Sequence, residues 1–174
     1  MYKINKLSNG LDLIIAPMSG TKTVTVFVLF GTGSRYETKK NNGISHFLEH
    51  ALFKGTKKRP NTLAIAGELD GIGGEYNAFT GKEITGFWIK VEASQLESAM
   101  DVLSDIILNP LLSSQEIERE KGVIIEEVNM YFDNPLIHID DLFEQCFYGD
   151  TPIGWTTIGS KENIKGFNRS DFVD

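Results

Sequence analysis

Asn41-Asn42-Gly43-Ile44-Ser45-His46-Phe47-Leu48-Glu49-His50-Ala51-Leu52-Phe53-Lys54-Gly55 reads as one helix with its punctuation. Asparagine suits an N-terminal cap and glycine accepts the left-handed residue that follows a last turn, so a helix is predicted from after Asn41-Asn42 to Gly55. On it His46 and His50 are four apart, one turn above each other on one face, and Glu49, three after His46, shares that face. Ile44, Phe47, Leu48, Ala51 and Leu52 take the opposite side. The apolar side anchors the helix, while the other can direct two imidazoles at a single ion at roughly 2.0–2.1 Å. Taken alone, His46 and His50 would read as two hydrogen-bonded histidines on a helix.

Upstream, Lys3 to Leu7 and Leu11 to Ala16 alternate around Asn9-Gly10, a pair suited to a type I′ hairpin turn. Thr23 to Phe30 is a third strand, rich in β-branched residues. Gly31-Thr32-Gly33-Ser34 ends it in a turn, and without a following Gly-Lys-Ser/Thr it does not read as a phosphate cradle. Downstream, Asn61 to Leu69 is a helix closed by Gly71. Glu75 to Phe79 and Glu83 to Val91 read as a hairpin joined by Thr80-Gly81-Lys82. Ser94 to Leu108 is a helix ended by Asn109-Pro110, and a long helix runs from about Ser113 to Tyr131, with Ser113 and Glu116 at capping-box spacing. A further helix is predicted from Pro135 to Phe147. Early strands with helices between and after them indicate an α+β layer fold. Residues 167–174 look like a capped helix start that the chain stops before finishing, so truncation at the C-terminal end is expected.

The 174 residues fit one domain, with 41% hydrophobic residues for a core. A formal net charge of −7 and a pI near 5.0 argue against nucleic-acid or anionic-membrane surfaces, which need clustered Lys and Arg. The single cysteine, Cys146, excludes an internal disulfide framework and is expected to be a small buried hydrophobe. Met1-Tyr2-Lys3-Ile4 opens no secretory signal and no apolar run approaches the roughly 20 residues of a membrane helix, so a soluble, cytoplasmic protein is expected.

Two histidines leave a zinc site incomplete, since catalytic sites usually add a third protein ligand and leave a fourth position to water. The long helix supplies candidates. Glu120 and Glu127, seven apart, project from one face, whereas Glu126 is rotated by about 100°. Carboxylates flanking the apolar Val123-Ile124-Ile125 are costly to bury unless paired or bound to metal, although a solvated helix face also fits them.

With these motifs in view, the chain closely resembles the pitrilysin/insulinase family of zinc metallopeptidases, nearest to its bacterial processing-peptidase-like branch. Three stretches carry the likeness: His46-Phe47-Leu48-Glu49-His50; Glu118-Arg119-Glu120-Lys121 through Glu126-Glu127; and Gly73-Gly74-Glu75-Tyr76-Asn77-Ala78-Phe79-Thr80. The family signature is His-x-x-Glu-His followed by a glutamate on a later helix, and here 76 residues lie between His50 and Glu127. The resemblance implies a mostly antiparallel sheet with helices packed on one face, and one Zn2+ per chain held by His46, His50 and Glu127. It makes Glu49 the general base and Glu120 a residue supporting the site from behind its ligands. It implies hydrolysis of unfolded peptides that pair along the strand Glu75 to Phe79, with Asn77 and Ala78 as substrate-binding residues and Phe53 and Phe79 lining an apolar pocket near the cut, although aromatics in a helix and a strand also suit plain core.

Processing peptidases of this family read a basic residue with acidic side chains; Asp141 falls at one such position, while Ile137 stands where a glutamate is expected. His138, in the same segment, reads as a surface or core residue. Residues 1–174 are then a single N-terminal zinc-binding domain, incomplete and lacking the second homologous domain or subunit. Two other readings differ in kind: a non-catalytic binding or scaffold subunit of a two-part assembly, and a purely structural zinc site. A bacterial cytoplasmic setting fits better than the mitochondrial matrix, because Lys3-Ile4-Asn5-Lys6 is too short for a presequence.

Overall fold

The computed structural model describes residues 2–173. In chain order the elements are β1 (Lys3–Lys6), β2 (Asp12–Ile15), β3 (Thr23–Phe30), α1 (Ile44–Leu52), α2 (Thr62–Gly71), β4 (Glu75–Thr80), β5 (Thr85–Glu92), α3 (Leu96–Leu108), α4 (Ser114–Asp133), α5 (Pro135–Tyr148), α6 (Lys161–Gly166) and α7 (Ser170–Val173). The class is α+β. β1 and β2 form a separate two-stranded hairpin, and the main sheet runs β3-β5-β4 with both pairings antiparallel.

Side chains alternate across a strand, so β5 sends Phe87, Ile89 and Val91 to one face of the sheet, where all three are buried. That face receives Leu52 of α1, Ile65 and Leu69 of α2, and Val102, Leu103 and Ile106 of α3 in one core. Each fully buried Leu, Ile or Phe in it contributes roughly 1.5–3 kcal/mol. The opposite face carries Phe27, Leu29 and Phe79, all exposed. Helices α1, α2 and α3 therefore pack on one face of the sheet, as the resemblance implied. A second core joins α1 to the later helices through Phe47, Ala51, Ile117, Ile124, Ile164 and Phe167.

Several local expectations change. Around the first hairpin the Leu7 carbonyl accepts from Gly10 N–H at 2.9 Å and Leu7 N–H donates to Leu11 O at 2.8 Å. Gly10 has φ 90, whereas Leu112 is the only non-glycine with positive φ among the described residues. A type I′ turn needs positive φ at both central residues, so this turn is instead one with Ser8 and Asn9 at its centre and a left-handed glycine after them. β5 begins at Thr85, two residues later than predicted, because Gly81 N–H donates to Ile84 O at 2.8 Å and closes a tight turn through residues 81–84.

Helix α1 is capped by neither Asn41 nor Asn42. Its N-cap is Gly43, φ 98, where an added Cβ would stand 2.6 Å from the Ile158 carbonyl oxygen. Asn41 instead accepts from Thr38 N–H. The cap comes from a distance: the buried Glu37 carboxylate accepts from Gly43 N–H at 2.8 Å and Ser45 N–H at 2.9 Å. A carboxylate there satisfies orphan amides and sits at the positive end of the helix dipole. The helix also closes earlier than Gly55, at Leu52. Asn61 and Ser113 cap α2 and α4 as expected, accepting from Ala64 N–H and Glu116 N–H.

Cys146 is exposed, not buried, because α5 lies along α4 at the surface and every one of its residues is at least partly exposed. No described helix is long and apolar enough to cross a membrane. Arg59, 2% exposed, is an unannounced feature. Its guanidinium donates twice to Glu68 at 2.7 Å, to Asp105 at 2.8 Å and to Asp101 at 2.5 Å. Asp105 also accepts from Thr56 Oγ1 at 2.6 Å. This network ties the segment after α1 to α2 and α3.

Candidate metal centre

The helical spacing of four sets His46 and His50 side by side, with ring centroids 4.7 Å apart. Helix α4 crosses α1 and brings Glu127 to them. His46 Nε2 lies 3.6 Å from Glu127 Oε1 and His50 Nε2 lies 3.3 Å from Glu127 Oε2. One donor atom from each of the three residues falls within 4.8 Å of the others, a nitrogen–nitrogen–oxygen set of the kind that holds zinc. Glu126 points elsewhere, is exposed and accepts from Asn129. Glu120 and Glu127 do share a face, and α4 uses them differently.

Glu120 is 2% exposed. Its Oε1 stands 2.9 Å from His50 Nδ1, and its Oε2 accepts from Lys54 Nζ at 2.8 Å. Burial would raise the Glu120 pKa, but the bonds from His50 and Lys54 outweigh it and hold the carboxyl below its usual value. With Nδ1 held by a carboxylate, the ring of His50 is oriented and its Nε2 is left toward Glu127, the arrangement that fixes a metal-binding histidine. His46 lacks such support: its buried Nδ1 has no hydrogen-bond partner among the described residues.

Glu127 accepts from Tyr131 Oη at 2.8 Å. Bonds from His46 and His50, and then Tyr131, hold its carboxyl far below the ordinary range despite burial. Burial and the bond to Glu127 push the Tyr131 phenol up to about 12. Burial alone would lower His50, yet the hydrogen bonds and charges of Glu120 and Glu127 raise it to about 9. Without a metal the carboxylates of Glu120 and Glu127 thus face two positive charges, the Lys54 ammonium and a protonated His50 ring. A divalent cation among His46 Nε2, His50 Nε2 and Glu127 would fit the donor types and would take the place of the His50 proton. Substituting Glu120→Gln, which removes the charged partner of His50, is expected to weaken zinc binding roughly 10–100-fold in competition with a chromophoric chelator.

Glu49 stands on the same side of α1 and accepts from Thr80 Oγ1 at 2.6 Å. Beside it, β4 is an edge strand, paired among the described residues only with β5. Asn77 is exposed on it, and its own Oδ1 accepts from Ala78 N–H at 2.9 Å. Phe53 and Phe79 are not brought into one pocket. Phe53 packs beside Tyr76 and Phe87 on the helix-covered face of the sheet, with centroid distances of 6.3 and 6.1 Å. Phe79 meets Phe27 on the opposite face at 6.1 Å, because strand alternation sends residues 76 and 79 to opposite sides. Asp141 lines a cavity of about 320 Å³ between α5 and residues 150–163, with His138 and Trp155, and burial pushes its carboxyl up, the more so beside Glu144 and against the opposing pull of Lys82. His138 also lies against Phe132, with ring centroids 4.8 Å apart.

Sequence reasoning missed Thr80, Lys54 and Tyr131. Tyr131, four after Glu127, and Lys54, four after His50, were accessible to the same one-turn argument that paired the histidines. Thr80 carried no local signal.

Comparison with known proteins accords with this site. Residues 13–161 match the family described as Insulinase (Peptidase family M16). The chain is 42% identical over 172 residues to the beta subunit of mitochondrial-processing peptidase from Mus musculus, covering 99% of this chain and 35% of that protein. It is 39% identical over 168 residues to YmxG, an uncharacterised zinc protease of Bacillus subtilis, covering 97% and 41%. Among solved structures, a protease from Helicobacter pylori superposes with a TM-score of 0.91 at 29% identity, covering 99% and 42%. The chain thus spans well under half the length of these relatives. Two histidines from one helix and a glutamate from another fall within the matched residues 13–161, and the chain belongs to the insulinase family of peptidases, family M16.

Proposed function

We propose that this chain is the metal-binding part of a zinc-dependent endopeptidase that cleaves unfolded peptides. The observation that carries the reading is the convergence of His46 Nε2, His50 Nε2 and Glu127 on one point, with the Glu49 carboxylate on the same side of α1. His46, His50 and Glu127 would hold a single Zn2+, which when bound lowers the pKa of its water toward about 7 and polarises the scissile carbonyl. Glu49 is the general base: one carboxylate oxygen receives a proton from the attacking water and later delivers it to the leaving amine. Glu120, held by Lys54, keeps the His50 ring in place.

An extended peptide adds to the free edge of β4 through main-chain hydrogen bonds. Asn77 and Ala78 take part directly, since the bond that Asn77 now makes to Ala78 N–H is the one a pairing strand would replace. Phe79 offers an apolar contact on the outer side of that strand, while Phe53 supports it from the core. Asp141 is the acidic group available to a basic substrate side chain, and with Ile137 nearby it would act without a second carboxylate. Relatives of more than twice this length, one of them named as a subunit, support a second homologous domain or subunit that completes the substrate chamber.

The scaffold alternative has no use for three converging donors backed by a buried acid. Zinc content per chain, measured by elemental analysis on protein purified without chelator and again after zinc addition and dialysis, tests the reading. About one zinc is expected. No zinc under either condition would overturn it and favour the scaffold role.

A further inference from the structure

We propose that Thr80 is a positioning residue for Glu49 and couples the substrate-binding edge strand to the base; this rests on the peptidase reading above. Thr80 closes β4, paired with Thr85 of β5. Its side chain falls on the same side of the strand as Tyr76 and Ala78, the side that packs toward α1. From there Oγ1 donates to Glu49 Oε2 at 2.6 Å, a partly buried contact between residues 31 apart in sequence. A hydrogen bond to an ionised carboxylate is short and directional. It therefore fixes the rotation of the Glu49 carboxylate and occupies one oxygen, leaving Oε1 as the one that takes the water's proton.

Threonine suits this task better than serine, because its β-branch restricts χ1 and holds the hydroxyl in one direction. The placement has a further effect. A peptide that pairs along β4 aligns Asn77, Ala78 and Thr80 on one strand, so the strand that orients the scissile bond also orients the group that removes the proton.

The test uses the zinc-loaded chain together with the second homologous domain or subunit proposed above, and an unstructured peptide substrate. Thr80→Val, which keeps the shape and removes the hydroxyl, is expected to lower kcat roughly 10–100-fold, the size of one hydrogen bond to a charged group. KM and zinc content are expected to stay unchanged, and Thr80→Ser to recover most of the loss. A readout free of activity accompanies it: in metal-free protein, Thr80→Val and Glu49→Ala should act non-additively on the denaturant midpoint, since each removes the same bond. Additive midpoints overturn the proposal, as do equal losses of kcat in Thr80→Val and Thr80→Ser, or a loss of zinc in Thr80→Val. Native protein that neither binds zinc nor cleaves peptide would fail the peptidase reading instead, while the metal-free cycle still decides the Thr80–Glu49 contact.

Discussion

Zinc-loaded protein carrying Glu49→Gln is expected to keep its metal and lose peptide hydrolysis by roughly 10²–10⁴-fold, the range for removing a general base. Glutamine preserves length and shape, and its amide oxygen can still accept from Thr80, so the geometry of α1 survives. What disappears is a second oxygen able to receive a proton. The companion substitution His50→Ala should lose zinc and activity together, because it removes a donor and leaves buried Glu120 facing Lys54 alone. Elemental analysis beside initial rates on an unstructured fluorogenic peptide separates the two. Hydrolysis undiminished in metal-loaded Glu49→Gln would remove Glu49 from the mechanism.

Arg59→Met is expected to destabilise the fold by about 3–5 kcal/mol, the cost of leaving one partner of a buried ion pair uncompensated. The damage comes chiefly from Asp105, 8% exposed. Glu68 and Asp101 are far more exposed, and their pairings contribute little. Burial would raise the Asp105 pKa, but Thr56, Arg59 and Asn109 hold it below its usual value. A depressed folded pKa contributes stability that is present above the ordinary aspartate range and is lost as pH falls through the lowered value. The native protein should thus lose stability in acid, and the gap between native and Arg59→Met should narrow below about pH 4. Urea denaturation at neutral and acid pH measures both, and Arg59→Met/Asp105→Asn, which removes the stranded charge, should recover part of the loss. A gap that does not change with pH would show that the guanidinium acts through packing alone.

The readable parts of this chain are those whose cause lies within a few residues. Asn61 and Ser113 announced α2 and α4 because a cap acts on amides two or three positions on. The spacing of His46, Glu49 and His50 gave their common face for the same reason. Periodicity placed Glu120 and Glu127 on one face but could not distinguish them; only the likeness to a known family singled out Glu127, and only the crossing of α1 and α4 shows that Glu120 reaches the far nitrogen of His50. Glu37 capping α1, Thr80 meeting Glu49 and Arg59 gathering three carboxylates all depend on how distant segments meet. Cys146 misled for a related reason: its residue type favours burial, but α5 has too few neighbours to bury it.

Helix α1 belongs to both cores, through Leu52 on one side and Phe47 and Ala51 on the other. Freeing either histidine by local opening would therefore disrupt two packed regions at once, an event close in cost to global unfolding. The β1–β2 hairpin, exposed along both strands, can fray without touching either core. The relative placement of the two imidazoles is thus as persistent as the fold itself and is insulated from the fast fraying of the hairpin.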